Sequence, residues 1–363
     1  MKKQMNIVIL GLSITSSWGN GHATTYRALV KALSARGHRV LFLERDMPWY
    51  AANRDAPHLP YGSVRLYRDL EELKLYVDAI AGADLVILGS YVPEGVEVAE
   101  IALTVNRNCV AFYDIDTPVT MAKLARKNFE YLHPRLIPRF DLYLSFTGGP
   151  ILKWIENHYG AQRARPLYCS VDPDLYYPEP DVAKEYDLGY IGTYSDDRQP
   201  TVNQLLIEPA KKMPERHFSV AGPQYPVNIA WPTNVQRVDH IAPEHHRQFY
   251  NSQRFTLNVT RRDMIKAGYS PSVRLFEAAA CATPIISDDW KGLDQFFRLG
   301  EELLVAHTAE DVQEYLALPE EKRAAIGAAS RKRVLGAHTS AHRAVELEQY
   351  WQEALTPSLA ANA

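Results

Sequence analysis

Short apolar runs alternate with helix-patterned segments along the whole chain, the signature of parallel sheets covered by helices. The first half reads as strand "NIVILGL", helix "TTYRALVKALSARG" and strand "RVLFLER", then a poorly patterned stretch rich in Pro and Asp. It continues through helix "DLEELKLYVDAIAG", strand "DLVILGS", helix "EGVEVAEIALTVN", strand "CVAFYDI", a helical region over 117–131 and strand "DLYLSF". From Arg165 to Glu185 the pattern fades into a proline-rich connection, which a sheet interior cannot continue because Pro lacks a donor and fixes φ. The alternation then restarts with "DLGYIG", a helix over 199–212, "HFSVAG", "VQRVD", "PEHHRQFYNS", "FTLNVT", "SVRLFEAAACA" and "PIISD". Helices follow "ELLVA", and a last amphipathic helix, "SAHRAVELEQYWQEAL", is expected to pack back on the first domain.

This pattern predicts an α/β protein of two Rossmann-like, doubly wound domains facing a cleft. The expected boundaries are 1–168, 169–337 and the returning helix 338–356. A length of 363 residues agrees, since it exceeds what one core usually organises. With 46% hydrophobic and 23% charged residues the composition is that of an ordinary globular protein. A net charge of −3 gives no basic excess for holding a polyanion. Cys109, Cys169 and Cys281 lie far apart in apolar runs without metal-ligand spacing, so buried free thiols are expected. The opening "MKKQMNIVILGL" reads as a first strand rather than a signal peptide, and no segment reaches the roughly 20 apolar residues of a membrane span. A cytoplasmic location is the expectation.

The richest chemistry lies in "LNVTRRDMIKAGYSPSVRLFEAAACATPIISDD". Ser270 followed by Pro271 predicts an N-cap and first helical residue, leaving the backbone donors of Ser272 and Val273 for a phosphate. Arg274 and Glu277, three apart, fall on one helix face, where Glu277 suits ribose hydroxyls, unless the two form a surface pair on a packing helix. In the first half, "ITSSWGNGHATTYRAL" leaves the first strand through small residues and opens a helix at His22. Gly19, Asn20 and Gly21 permit close backbone approach of a ligand. His22 is a candidate for contacting phosphate or the transferred sugar, or for acting on an acceptor hydroxyl. Asp114 and Asp116 form a D-x-D after a strand; one is a candidate general base, or both cap the following helix. "GNGH" is not the dinucleotide fingerprint, and HExxH, CxxC, P-loop and G-x-S-x-G are all missing from the sequence.

The segment "PSVRLFEAAACATPIISD" resembles the nucleotide-sugar motif of GT-B glycosyltransferases, in particular the CgeB-like family. "YIGTYSDDRQPTVNQLL", "AGPQYP", "YCSVDPDLYYP" and "FYDIDTPVT" resemble further elements of that family. The resemblance implies that Glu277 binds the donor ribose and that Tyr269 stands where related retaining enzymes carry another glutamate. It implies that Arg198 neutralises the donor diphosphate, that Gly222 and Ile241 hold the base mainly through backbone groups, and that Tyr194 and Arg261 line the donor site. The implied function is metal-independent transfer of a sugar, with a UDP-sugar favoured, to an acceptor of unknown kind; no cofactor is expected. The alternatives are a noncatalytic nucleotide-sugar binder, an epimerase, and a metal-dependent GT-A-like transferase using Asp114 and Asp116.

Overall fold

The first sheet is built from β1 (Asn6–Gly11), β2 (Arg39–Arg45), β3 (Ser63–Tyr67), β4 (Leu85–Gly89), β5 (Val110–Asp114), β6 (Leu142–Ser145) and β7 (Ala164–Pro166). All pair in parallel, in the order β3-β2-β1-β4-β5-β6-β7, so the strand order reverses direction beside β1. The computed structural model describes residues 3–19 and 21–356. Its chain divides into two units, one comprising 1–169 with 340–363, the other 170–339.

The central strands of the first sheet read as continuous apolar runs because both faces are covered. Along β1, Val8 and Leu10 join one core while Ile7 and Ile9 join the other, and β4 repeats this with Val86 and Leu88 against Leu85 and Ile87. The helix Ser340–Leu355 belongs to this unit: Ala344, Leu347 and Trp351 complete the second core beside Tyr26 and Leu29.

The second sheet comprises β8 (Tyr186–Ile191), β9 (Phe218–Ala221), β10 (Val235–Val238), β11 (Gln253–Asn258), β12 (Ile285–Ser287) and β13 (Leu304–Val305). Its order is β10-β9-β8-β11-β12-β13, again parallel, with the reversal between β8 and β11.

The structure adds elements that the pattern does not predict. The Pro- and Asp-rich stretch after β2 contains β3, an edge strand whose alternating exposure gives it a weak apolar signal. Helix Pro150–Tyr159 starts on Pro and ends at Gly160 in the left-handed region, and a short helix, Arg262–Ala267, follows β11. The expected helix over 199–212 contains one π turn, Asn203–Ile207, because Pro209 cannot donate to the carbonyl four residues back. The helical region expected over 117–131 ends at Ala125. All three cysteines are buried free thiols.

Candidate active site

In the second unit the reversal between β8 and β11 is where ligands of open parallel sheets sit, outside the carboxyl ends of the strands. Three arginines gather there. Arg198, at the start of the helix after β8, is only 7% exposed. Its guanidinium is tied to the Thr193 carbonyl and, at 3.3 Å, to the Ser195 hydroxyl. Burial first, and then repulsion from Arg274 and Arg261, lower its pKa below the usual arginine range, with Tyr190 opposing. No carboxylate lies within ion-pair distance of Arg198, Arg261 or Arg274 among the described residues. Asp197 is nearby but serves the backbone: it accepts the Arg262 N–H at 2.8 Å and the Ser195 hydroxyl, linking the loops after β8 and β11. Burial opposes its ionisation, but these bonds and the field of Arg198 and Arg261 bring its pKa down.

The helix beside these arginines runs Val273–Ala280 and its N-cap is Ser272, not Ser270. The expected start is displaced because Gly268 and Tyr269, at φ of 66° and 51°, turn the chain in the left-handed region and leave Ser270 and Pro271 buried ahead of the helix. No side chain caps the helix; the Ser272 hydroxyl instead donates to Asn258 Oδ1 at 2.8 Å. Arg274 does not pair with Glu277. Its guanidinium donates to the Ile191 carbonyl at 2.6 Å and to Asn258 at 3.0 Å, over the Tyr190 ring. Glu277 is 5% exposed and accepts the Tyr250 hydroxyl at 2.9 Å. Burial, then this carboxylate, push the Tyr250 and Tyr176 hydroxyls well above the ordinary tyrosine range.

Gly222 follows β9 at φ 137°, and a Cβ there would stand 2.1 Å from the Gly192 carbonyl, so only glycine allows the chain after β8 and β9 to approach this closely. Tyr194 bonds Asp196 at 2.6 Å and packs edge-on against Tyr225. The Ile241 carbonyl faces the His246 ring at 3.1 Å.

The first unit carries a different set at its own strand ends. Glu44, fully buried at the end of β2, accepts the N–H groups of Ile14 and Thr15 at 2.7 and 2.9 Å and the hydroxyls of Thr15 and Ser13. This acid, next to last in β2, therefore holds the opening loop. The Arg27–Asp55 pair fixes Ser17 next to it, and Arg27 and Ser17 hold Asp55 well below the usual carboxylate range although burial opposes this. Gly19 is exposed with φ 67°. Gly21 is the helix N-cap with an ordinary φ of −85°, and Asn20 lies outside the described residues.

His22 opens helix His22–Ala35 and is buried against the edge of Tyr91. Its Nε2 is 3.9 Å from Asp116 Oδ2, and its Nδ1 has no hydrogen-bond partner among the described residues. The structure separates the D-x-D. Asp114 is completely buried, accepting Thr120 at 2.6 Å and Tyr143 at 2.5 Å, and burial raises its pKa to about 7. With both oxygens taken inside the core, Asp114 is neither an open general base nor half of a metal-binding pair. Asp116 makes no side-chain cap, contrary to expectation; its half-exposed carboxylate faces His22. Residues with a role that spacing does not reveal are Glu44, Asn258 and Tyr250; an acid ending an apolar strand was the one available signal.

Residues 198–349 match the Glycosyl transferase-like family. The chain is similar in structure to sucrose-phosphate synthase from Thermosynechococcus elongatus, with 16% identity, TM-score 0.70, and 96% of this chain and 98% of that one covered. It is similar to Anabaena HepE in complex with UDP-glucose, with 14% identity, TM-score 0.71, and 96% and 100% covered. An α-glucosyltransferase in complex with UDP-glucose and DNA containing an abasic site shares 12% identity at TM-score 0.69, with 96% and 100% covered. No curated protein matches the sequence. The fold is the two-domain GT-B fold, and the family match over the second unit supports a glycosyltransferase. Among the described residues no helix is long and apolar enough to cross a membrane.

Proposed function

We propose that this protein transfers a sugar from a UDP-sugar to an acceptor hydroxyl without a metal ion, as a member of the CgeB-like group. The observation that carries the reading is the meeting of Arg198, Arg261 and Arg274, with no carboxylate in ion-pair distance among the described residues, beside an uncapped helix at the β8/β11 reversal. Three positive charges, two of them held by hydrogen bonds at Arg198 and Arg274, and the first-turn N–H groups suit a diphosphate. They also stabilise the charge that builds on it as the glycosidic bond to the sugar breaks, with no rearrangement needed at that moment. In this reading Glu277, a buried carboxylate beside the Tyr250 and Tyr176 hydroxyls, accepts the ribose hydroxyls. The solved relatives bound to UDP-glucose favour uridine as the nucleoside and glucose as the first sugar to try. In the first unit His22 takes the acceptor proton, with Asp116 holding its ring.

The test is a thermal-shift panel of nucleotides and nucleotide sugars on wild type and Glu277→Ala, followed by donor turnover with and without EDTA. UDP at 100 times its Kd should stabilise the wild type by about 2.7 kcal/mol. Glu277→Ala should lose most of that gain while keeping its response to pyrophosphate. A protein that binds UDP-glucose but neither transfers nor slowly hydrolyses it is a binder rather than an enzyme, and activity abolished by EDTA removes the metal-independent mechanism.

A further inference from the structure

Asn258, the last residue of β11, is 1% exposed and its amide is saturated. Its Oδ1 accepts the Ser272 hydroxyl at 2.8 Å and Arg274 Nη1 at 3.0 Å. Its Nδ2 donates to Ser287 Oγ at 2.9 Å and Thr260 Oγ1 at 3.2 Å. A guanidinium can only donate, so the oxygen end of the amide must face Arg274. The far side is anchored in turn: Thr260 donates its N–H and hydroxyl to Asp288 at 2.9 and 2.8 Å, and Ser287 donates to the Asp288 carbonyl at 2.9 Å. One buried amide thus joins the ends of β11 and β12 to both parts of the anion site.

Two consequences follow from its being an amide. Arg274 is held by two neutral oxygens, Asn258 Oδ1 and the Ile191 carbonyl, so it is fixed in place with its charge uncancelled. A carboxylate in the same place would grip harder and neutralise it. The second consequence concerns Ser272. Serine at an N-cap ordinarily spends its oxygen on the first-turn N–H groups; here the hydroxyl is turned to Asn258 and the helix goes uncapped.

We propose that Asn258 is a positioning residue for the diphosphate: it aims Arg274 without discharging it and withholds the Ser272 hydroxyl from the helix whose N–H groups take the phosphate. This rests on the donor-site reading above.

Isothermal titration of the full chain with UDP, pyrophosphate and uridine tests it, on wild type, Asn258→Asp and Asn258→Ala. Asn258→Asp should weaken UDP and pyrophosphate about 10- to 100-fold, the factor carried by one charge-assisted hydrogen bond, while uridine stays within about twofold. Asn258→Ala keeps the site neutral but frees both groups, so a loss of about tenfold for UDP and pyrophosphate, with uridine within about twofold, is expected. Should the aspartate variant fail to fold, the alanine variant carries the test. A merely structural role would weaken all three ligands together. The assignment is overturned if either folded variant binds pyrophosphate like wild type, or if uridine affinity falls in step. A wild-type protein that binds neither UDP nor pyrophosphate instead sinks the donor-site reading itself.

Discussion

The two sheets order their strands identically around the point of reversal, yet the loops at their central strand ends are built from opposite charges. After β1, an acid organises the chain: Glu44 gathers backbone and hydroxyl donors of Ser13 to Thr15, and Asp55 anchors Ser17. After β8 and β11, Asp197 and Asp288 likewise hold backbone donors, but cations gather beside them whose hydrogen-bond partners are carbonyls, an amide and a hydroxyl rather than carboxylates. In the first unit the charges are consumed internally; in the second they are kept for something else. The fold places the loops in both cases, and the pairing of the charges decides which set is left to bind an anion.

The sharpest way to break this contrast is Arg198→Ala. If the guanidinium acts on charge developing at the diphosphate, kcat should fall about 10²- to 10³-fold, as for other preorganised oxyanion donors. Arg198→Lys should recover only part, because an ammonium cannot span Thr193 and Ser195 while still pointing at phosphate. Steady-state kinetics showing wild-type kcat in Arg198→Ala would mean that its burial serves packing.

His22→Ala probes the other side and should lower kcat about 10²-fold, the lower range for a lost proton acceptor. Its UDP affinity should match wild type, since every arginine of the anion site lies in the second unit. Asp116→Asn, which keeps the shape of the carboxylate, should give a smaller loss of kcat. A His22 variant with weakened UDP binding would erase the division of labour between the two regions.

How much of this was legible in the sequence depends on how each residue does its work. Strands buried on both faces, such as β4 and β5, announce themselves by apolar runs, and "RLFEAAACATP" marks the donor helix because motif and helix coincide. Arg198 is legible through resemblance, its burial is not: exposure depends on what other strands bring over it. Local cap chemistry favours a helix start at Ser270, while the left-handed turn at Gly268 and Tyr269 moves it to Ser272, whose hydroxyl bonds Asn258, fourteen positions upstream. Asp114 and Asp116 look equivalent as D-x-D, but β5 ends at Asp114, whose carboxylate stays in the core against Tyr143, while Asp116 lies beyond the strand at the mouth of the next helix. Long-range partners of this kind leave no periodicity to read.

The smallest expected effect isolates the acid-built loop. Glu44 Oε2 faces two backbone donors, Ile14 and Thr15, whereas Oε1 faces the hydroxyls of Thr15 and Ser13. A glutamine can keep its oxygen on the N–H groups and turn its amide toward the hydroxyls, which rotate to accept. Glu44→Gln should therefore cost only about 1 kcal/mol in urea denaturation, by exchanging charge-assisted for neutral bonds. Glu44→Ala should cost about 2 to 3 kcal/mol more, because those buried donors lose their acceptor altogether. UDP affinity should be unmoved in Glu44→Gln, since that carboxylate is spent entirely on its own loop. If UDP binding shifts with Glu44→Gln, the acid of the first unit also reaches the donor, and the two loops cannot be treated as separate devices.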